Sequence, residues 1–137
     1  MNCQTPVMAI DVGLKRIGLA ISYDLKVILP VQPVLRKNRD QAACDVAKAL
    51  YERDVKTMVV GIPMEGSSYD EMKRRIEHFV NLIPFDGEKI FIDESFSSYE
   101  AGEKWLGQKL SRKEGWFDSV AASIILERFF EKFTKSS

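Results

Sequence analysis

The chain has 137 residues, with 20 Lys plus Arg against 20 Asp plus Glu, 45% apolar content, two Cys and one His. That length suits one domain with one sizeable core, and the composition excludes wholesale disorder, collagen-like repeats and a coiled coil. Zero net charge argues against a protein that coats nucleic acid by bulk attraction, yet residues 1–39 carry six basic against two acidic groups, so the neutrality is a cancellation.

Val7 to Asp11 is a short apolar run ending in a carboxylate, with Gly13 two residues on, and reads as a buried strand entering a turn. Ile17–Tyr23 is a second strand and Val27–Leu35 a third. Pro30 and Pro33 cannot donate to a ladder, which assigns the third strand to a sheet edge. Short connections among the three predict an antiparallel meander.

From Asp40 to Arg53 the period becomes helical, with Ala43, Val46, Ala47, Leu50 and Tyr51 on the inner stripe and Asn38 with Gln41 as a capping pair. Thr57–Gly61 is a fourth strand. Ser68 and Glu71 open a second helix with Met72, Ile76, Phe79, Val80 and Ile83 inward, ended by Pro84. Lys89–Asp93 is a fifth strand. Ser97 and Glu100 begin a helix to about Leu110, a basic loop follows, and an apolar helix runs from about Phe117 to Phe133 before Thr134–Ser137 frays. The expected architecture is α/β: a five-stranded mixed sheet, an antiparallel meander plus two parallel strands, with helices on both faces and residues 1–137 in a single domain.

Strands with parallel neighbours carry function beyond their carboxyl ends, so Asp11, Asp93 and Glu94 are expected to converge there. Asp118 heads a stripe of Ala121, Ala122, Ile125 and Phe129 on the last helix, whose small residues permit close approach to the sheet. Clustered carboxylates repel unless a cation sits between them, and an oxygen-only set suits Mg²⁺ or Mn²⁺, with two ions serving phosphodiester hydrolysis. Singly, each acid has a plainer reading as a turn or helix-cap residue. Lys15 and Arg16 after the turn, and Arg112 and Lys113 before Asp118, are placed to hold phosphates. Trp105, Trp116 and Phe117 are either base-stacking or core aromatics, and His78, on a helix flank, reads as an ordinary surface or half-buried residue.

Four spaced segments, Asp11-Val-Gly-Leu-Lys-Arg-Ile-Gly-Leu-Ala, Val59-Val-Gly-Ile-Pro, Asp93-Glu-Ser-Phe-Ser-Ser-Tyr-Glu-Ala and Asp118-Ser-Val-Ala-Ala, together resemble the YqgF (RuvX) family of the RNase H-like superfamily. The resemblance runs from about Met8 to Phe130. It implies an RNase H-like domain and a metal-dependent nuclease, with Asp11, Glu94 and Asp118 as catalytic acids and Asp93 as a further metal ligand. The implied substrate is structured RNA, with cleavage near the 5′ end of pre-16S rRNA and contact with the small ribosomal subunit. Members are also labelled Holliday junction resolvases, which implies branched DNA instead. Ser95 stands where the family commonly has Arg, Ser97-Ser98 where it has Thr-Thr, and the loop after Pro63 is short.

Two other classes share parts of this pattern. Asp-x-Gly after a first strand also resembles the phosphate loop of actin-like ATPases and sugar kinases, but those clasp nucleotide between two such domains. A non-catalytic ribosome- or nucleic-acid-binding module is the third reading. The start of the chain lacks signal-peptide features and no apolar run approaches the roughly 20 residues of a membrane helix, so a cytoplasmic protein without membrane contact is expected, as monomer or homodimer, with Cys3 and Cys44 as free thiols.

Overall fold

A computed structural model describes residues 4–62, 69–93 and 116–136. Its strands are β1 (Val7–Val12), β2 (Arg16–Ser22), β3 (Leu29–Leu35), β4 (Thr57–Ile62) and β5 (Glu88–Asp93). Its helices are α1 (Arg39–Glu52), α2 (Tyr69–Leu82) and α3 (Trp116–Ser136). The sheet order is β3-β2-β1-β4-β5. β1 pairs antiparallel with β2, as β2 does with β3, while β4 runs parallel to both β1 and β5. This is the expected meander with two parallel strands on its far side, and the carboxyl ends of β1, β3, β4 and β5 share one end of the sheet.

Strand alternation divides the core in two. Met8, Ile10, Ile17, Leu19 and Ile21 point to one face and are covered by Ala43, Val46 and Leu50 of α1 and Ile76, Phe79 and Val80 of α2. Val7, Ala9, Ala20, Val59 and Ile92 point to the other and meet Ala122, Ile125, Leu126 and Phe129 of α3. β1 is therefore apolar on both faces, which explains its unbroken Val-Met-Ala-Ile run. Phe79 is fully buried and Arg36 lies over its ring at 5.2 Å, so Phe79→Ala would cost about 3–5 kcal/mol in lost burial and an unfilled cavity.

Local chemistry fixes the element ends. Asn38 accepts from the Gln41 backbone at 2.7 Å and Gln41 Oε1 accepts from the Asn38 backbone at 3.3 Å, completing the capping box. β3 begins at Leu29 rather than Val27 because Asp24 Oδ1 accepts the N–H groups of Lys26 and Val27 at 2.9 and 3.0 Å, committing that backbone to a turn. Between Ile17 and Leu19 the β2–β3 register slips, three residue steps on β3 opposing two on β2. The surplus falls at Gln32–Pro33, where proline has no N–H to pair.

Three expectations change. Tyr51, placed on the inner stripe of α1, is 67% exposed, and Ala42 is buried instead. Met72 is 46% exposed, lying one turn short of the buried Ile76–Phe79–Val80 stripe. α3 continues to Ser136 instead of fraying after Phe133, with Lys132 and Lys135 in its last turns, where cations suit the helix dipole. Ala121 belongs to a second buried stripe with Val120 and Ile124, separate from the sheet-facing one, so α3 is buried on two sides, as its nearly all-round apolar sequence requires. The helix expected from Ser97 to Leu110 and the Ser68 half of the second capping pair lie outside the described residues. No helix among the described residues is long and apolar enough to cross a membrane.

Candidate functional site

The carboxyl end of β1 is built from a tight hairpin. Asp11 pairs with Gly18 and Val12 with Ile17 across β1–β2, and the turn closes by Gly13 N–H donating to the Arg16 carbonyl at 3.0 Å. A Cβ on Gly13 would lie 2.5 Å from that carbonyl oxygen, so only glycine allows the approach. Asp11 alternates with the buried Val7 and Ala9, which puts it on the α3 face of the sheet, half-buried near the carboxyl end of the central strand. Gly18 opposite it has no side chain, leaving the carboxylate room on that face.

Ser119 ties the first turn of α3 to the sheet. Its hydroxyl is buried and donates to the Val31 carbonyl at 2.6 Å. Val31 pairs with Leu19, and Leu19 with Ile10, so the first turn of α3 is tied to the row next to Asp11, about 10 Å away across two strand spacings. Asp118 occupies that turn. Asp93 ends β5, in register with Ile62 at the end of β4. Thus Asp11, Asp93 and Asp118 belong by backbone position to one end of the sheet. Of Asp93 and Asp118 only the backbone is described, and Glu94, Arg112 and Lys113 lie outside the described residues. Among the described residues no three His, Cys, Asp or Glu side chains form a metal cage, and Asp11 is the one predicted ligand whose side chain is described.

Basic groups gather beside the turn. Lys15 is exposed and Arg16 half-buried. The Lys15 carbonyl accepts the backbone N–H of Arg36 at 2.9 Å, and Arg36 Nη1 donates to the Gly13 carbonyl at 2.9 Å. Arg36 is thus a strut from β3 to the hairpin, held in turn over Phe79. Sequence reasoning counted it only as charge. A signal for Ser119 was present, since Ser119 and Ser123 stand four apart in a stretch, residues 119–126, that is otherwise apolar. On the opposite face a cavity of about 190 Å³ borders the turn, lined by Val12, Leu14, Arg36, Met72, Arg75 and Ile76. Its apolar walls explain why Met72 is only partly covered. A larger cavity of about 320 Å³, lined by Tyr51, Asp54, Lys56 and Asp86 among others, sits at the amino ends of the strands, away from these acids. His78 is exposed, as expected.

A five-stranded mixed sheet in this order, covered by a helix pair on one face and a long helix on the other, with an aspartate ending the central strand, defines an RNase H-like α/β protein. Two solved structures share it over nearly the whole chain. The fowlpox virus resolvase in complex with its substrate Holliday junction DNA superposes with a TM-score of 0.57 at 16% identity, covering 94% of this chain and 99% of that one. Thermus thermophilus RuvC in complex with a Holliday junction substrate gives 0.55 at 12% identity, covering 95% and 96%. The sequence profile of the RuvX family, described as Holliday junction resolvase, matches residues 5–132, and the chain belongs to that family. A relative from Campylobacter lari is 49% identical over 90% of this chain and 95% of its own length. One from Sulfurimonas denitrificans is 51% identical over 91% and 96%, and one from Helicobacter pylori 46% over 95% and 98%. All three bear the name "Putative pre-16S rRNA nuclease".

Proposed function

We propose that this protein is a metal-dependent endonuclease that hydrolyses phosphodiester bonds, acting on structured RNA in maturation of the 5′ end of pre-16S rRNA. The observation that carries this reading is the placement of Asp11 at the carboxyl end of β1, opposite the side-chain-free Gly18, with the first turn of α3 tied to the adjacent row through Ser119. The names of relatives near 50% identity supply the substrate class.

The donors fit a hard divalent cation. Asp11 near the carboxyl end of β1 would supply an oxygen ligand with no competing thiol or imidazole on that strand, and Asp93, Glu94 and Asp118 would complete an all-carboxylate set for Mg²⁺ or Mn²⁺. Such ions, when bound, lower the pKa of water and stabilise charge on the phosphate oxygens. The chain's own part is positional. Gly13 holds the hairpin tight so that Asp11 is presented at a fixed height, Arg36 braces that hairpin from β3, and Lys15, Arg16, Arg112 and Lys113 bind the phosphates flanking the reacting one. The committed acids leave 16 carboxylates against 20 bases over the rest of the chain, a mildly basic surface around an acidic notch.

The family description favours a second substrate, the four-way DNA junction. Incubation of the purified protein with precursor rRNA and with four-way junctions, each with Mg²⁺ or Mn²⁺ and beside Asp11→Asn, tests both. Cleavage of precursor rRNA that is lost in the variant is the expected result. Cleavage retained by Asp11→Asn removes the site assignment, junction cleavage alone moves the substrate to DNA, and binding without cleavage by wild type supports a non-catalytic module.

A further inference from the structure

We infer that Lys37 and Arg39, joined to Lys15 across the hairpin, form a second phosphate track that carries a nucleic-acid strand away from the Asp11 notch along the β3–α1 side. This rests on the reading that the substrate is nucleic acid, and extends it to where the flanking strand runs.

The juxtaposition comes from the sheet. Arg16 pairs with Leu35, and the Arg36 N–H to Lys15 carbonyl bond continues that ladder past the end of β3. Lys37 and Arg39 therefore leave the sheet beside Lys15, two strand spacings or about 10 Å from the end of β1. Lys15, Lys37 and Arg39 are all exposed, and among the described residues no carboxylate pairs with them. Elsewhere among the described residues Lys56 pairs with Asp54 at 3.1 Å and Arg75 with Glu71 at 2.6 Å, whereas Lys26 and Lys48, like the track residues, face solvent without a carboxylate partner.

Helix chemistry gives the second argument. Lys37 and Arg39 flank the N-cap Asn38, at the end of α1 where the dipole disfavours cations, and Asp40 is the lone acid of that first turn. Two cations where the helix least tolerates them, on a segment already fixed by its capping box, are explained by a polyanion outside the helix. Arg36, the neighbour of Lys37 on the β3 side, is taken up by the Gly13 carbonyl and the Phe79 ring, which anchors the segment that leads into the track.

The test compares two double variants with the same loss of charge, Lys37→Gln with Arg39→Gln, and Lys26→Gln with Lys56→Gln at the opposite end of the sheet. Fluorescence anisotropy in EDTA, where a metal-dependent nuclease cannot cut, reads the affinity of a labelled RNA hairpin with single-stranded flanks and of a four-way DNA junction across a salt series. The first pair is expected to weaken binding about tenfold at low salt and to flatten the slope of log K against log salt by about 1.4 to 1.8. The second is expected to stay within about twofold. The thermal midpoint of Lys37→Gln/Arg39→Gln should hold or rise, because cations leave a helix N-terminus, whereas a structural role would lower it. Equal weakening by both pairs, or no effect of the first, or no salt-dependent binding by wild type, overturns the track. Track-dependent binding of both probes supports a backbone contact indifferent to sugar, and a larger loss on one probe supports the track and names RNA or DNA as its source. The nuclease reading fails separately, by absence of cleavage in Mg²⁺ or Mn²⁺ while this binding persists.

Discussion

The two ends of the sheet use the same residue types to opposite purposes. At the amino ends, polar groups are consumed by the fold: Asp24 caps its own turn through the Lys26 and Val27 amides, Lys56 pairs with Asp54, and Thr57 Oγ1 donates to the Gln4 carbonyl at 2.9 Å. At the carboxyl ends, Lys15, Lys37 and Arg39 face solvent without a carboxylate partner among the described residues, beside Asp11, which is half-buried near the end of the central strand opposite a glycine. Even glycine differs in meaning. Gly87 is demanded by the Lys56 carbonyl, 2.3 Å from where its Cβ would lie, and Gly13 by the Arg16 carbonyl beside the candidate site.

The sharpest way to break this contrast is to exchange the two aspartates' fates. Asp11→Asn is expected to lower cleavage by about a thousandfold, roughly 4 kcal/mol of transition-state stabilisation, with the fold intact by circular dichroism. Chelation of divalent ions should do the same to wild type, while Asp24→Asn should leave turnover within about twofold. Next come the glycines: Gly13→Ala and Gly87→Ala should each destabilise by about 1–3 kcal/mol in urea titrations, because backbone must shift to admit the methyl. Only Gly13→Ala should also depress cleavage. Ser119→Ala should cost about 1–2 kcal/mol by orphaning the Val31 carbonyl, and should weaken activity more than Ser123→Ala, whose hydroxyl bonds only to the Ser119 carbonyl within its own helix.

The smallest effect concerns acid. The backbone amides of Val27 and Lys26, with Ser22, hold the Asp24 carboxyl below its ordinary value of 3.8. A carboxylate depressed in the folded state stabilises above its unfolded pKa and loses that contribution as pH falls through the folded value. Urea midpoints followed below about pH 4 should therefore decline slightly less steeply in Asp24→Asn than in wild type. An identical acid limb would show that this turn forms without the charge.

Much of the fold was legible because its signals are local. Pro30 and Pro33 marked the edge strand, Asn38 and Gln41 marked the start of α1, and the unbroken apolar runs of β1 and β4 marked strands buried on both faces. Tyr51 and Met72 were misplaced for a complementary reason. Helical period says which residues share a side, but how far a helix overhangs its sheet decides whether the last of them is covered. Within the candidate site, Asp11 and Gly13 stood out by their turn spacing, and Lys15 and Arg16 by adjacency. Arg36 did not, because nothing in Leu-Arg-Lys-Asn says that one guanidinium turns inward.

Sequence by itself determined the order and type of the elements, the unbroken apolar run that marks β1 as buried on both faces, and the family to which the chain belongs, since these rest on periodicity, turn chemistry and spaced motifs read within a few residues. Tertiary structure alone decided which side chains meet at the carboxyl end. Arg36 reaches Gly13 across 23 residues of chain and Ser119 reaches Val31 across 88, and bonds of that span exist only after the strands have taken their register and α3 has closed over them.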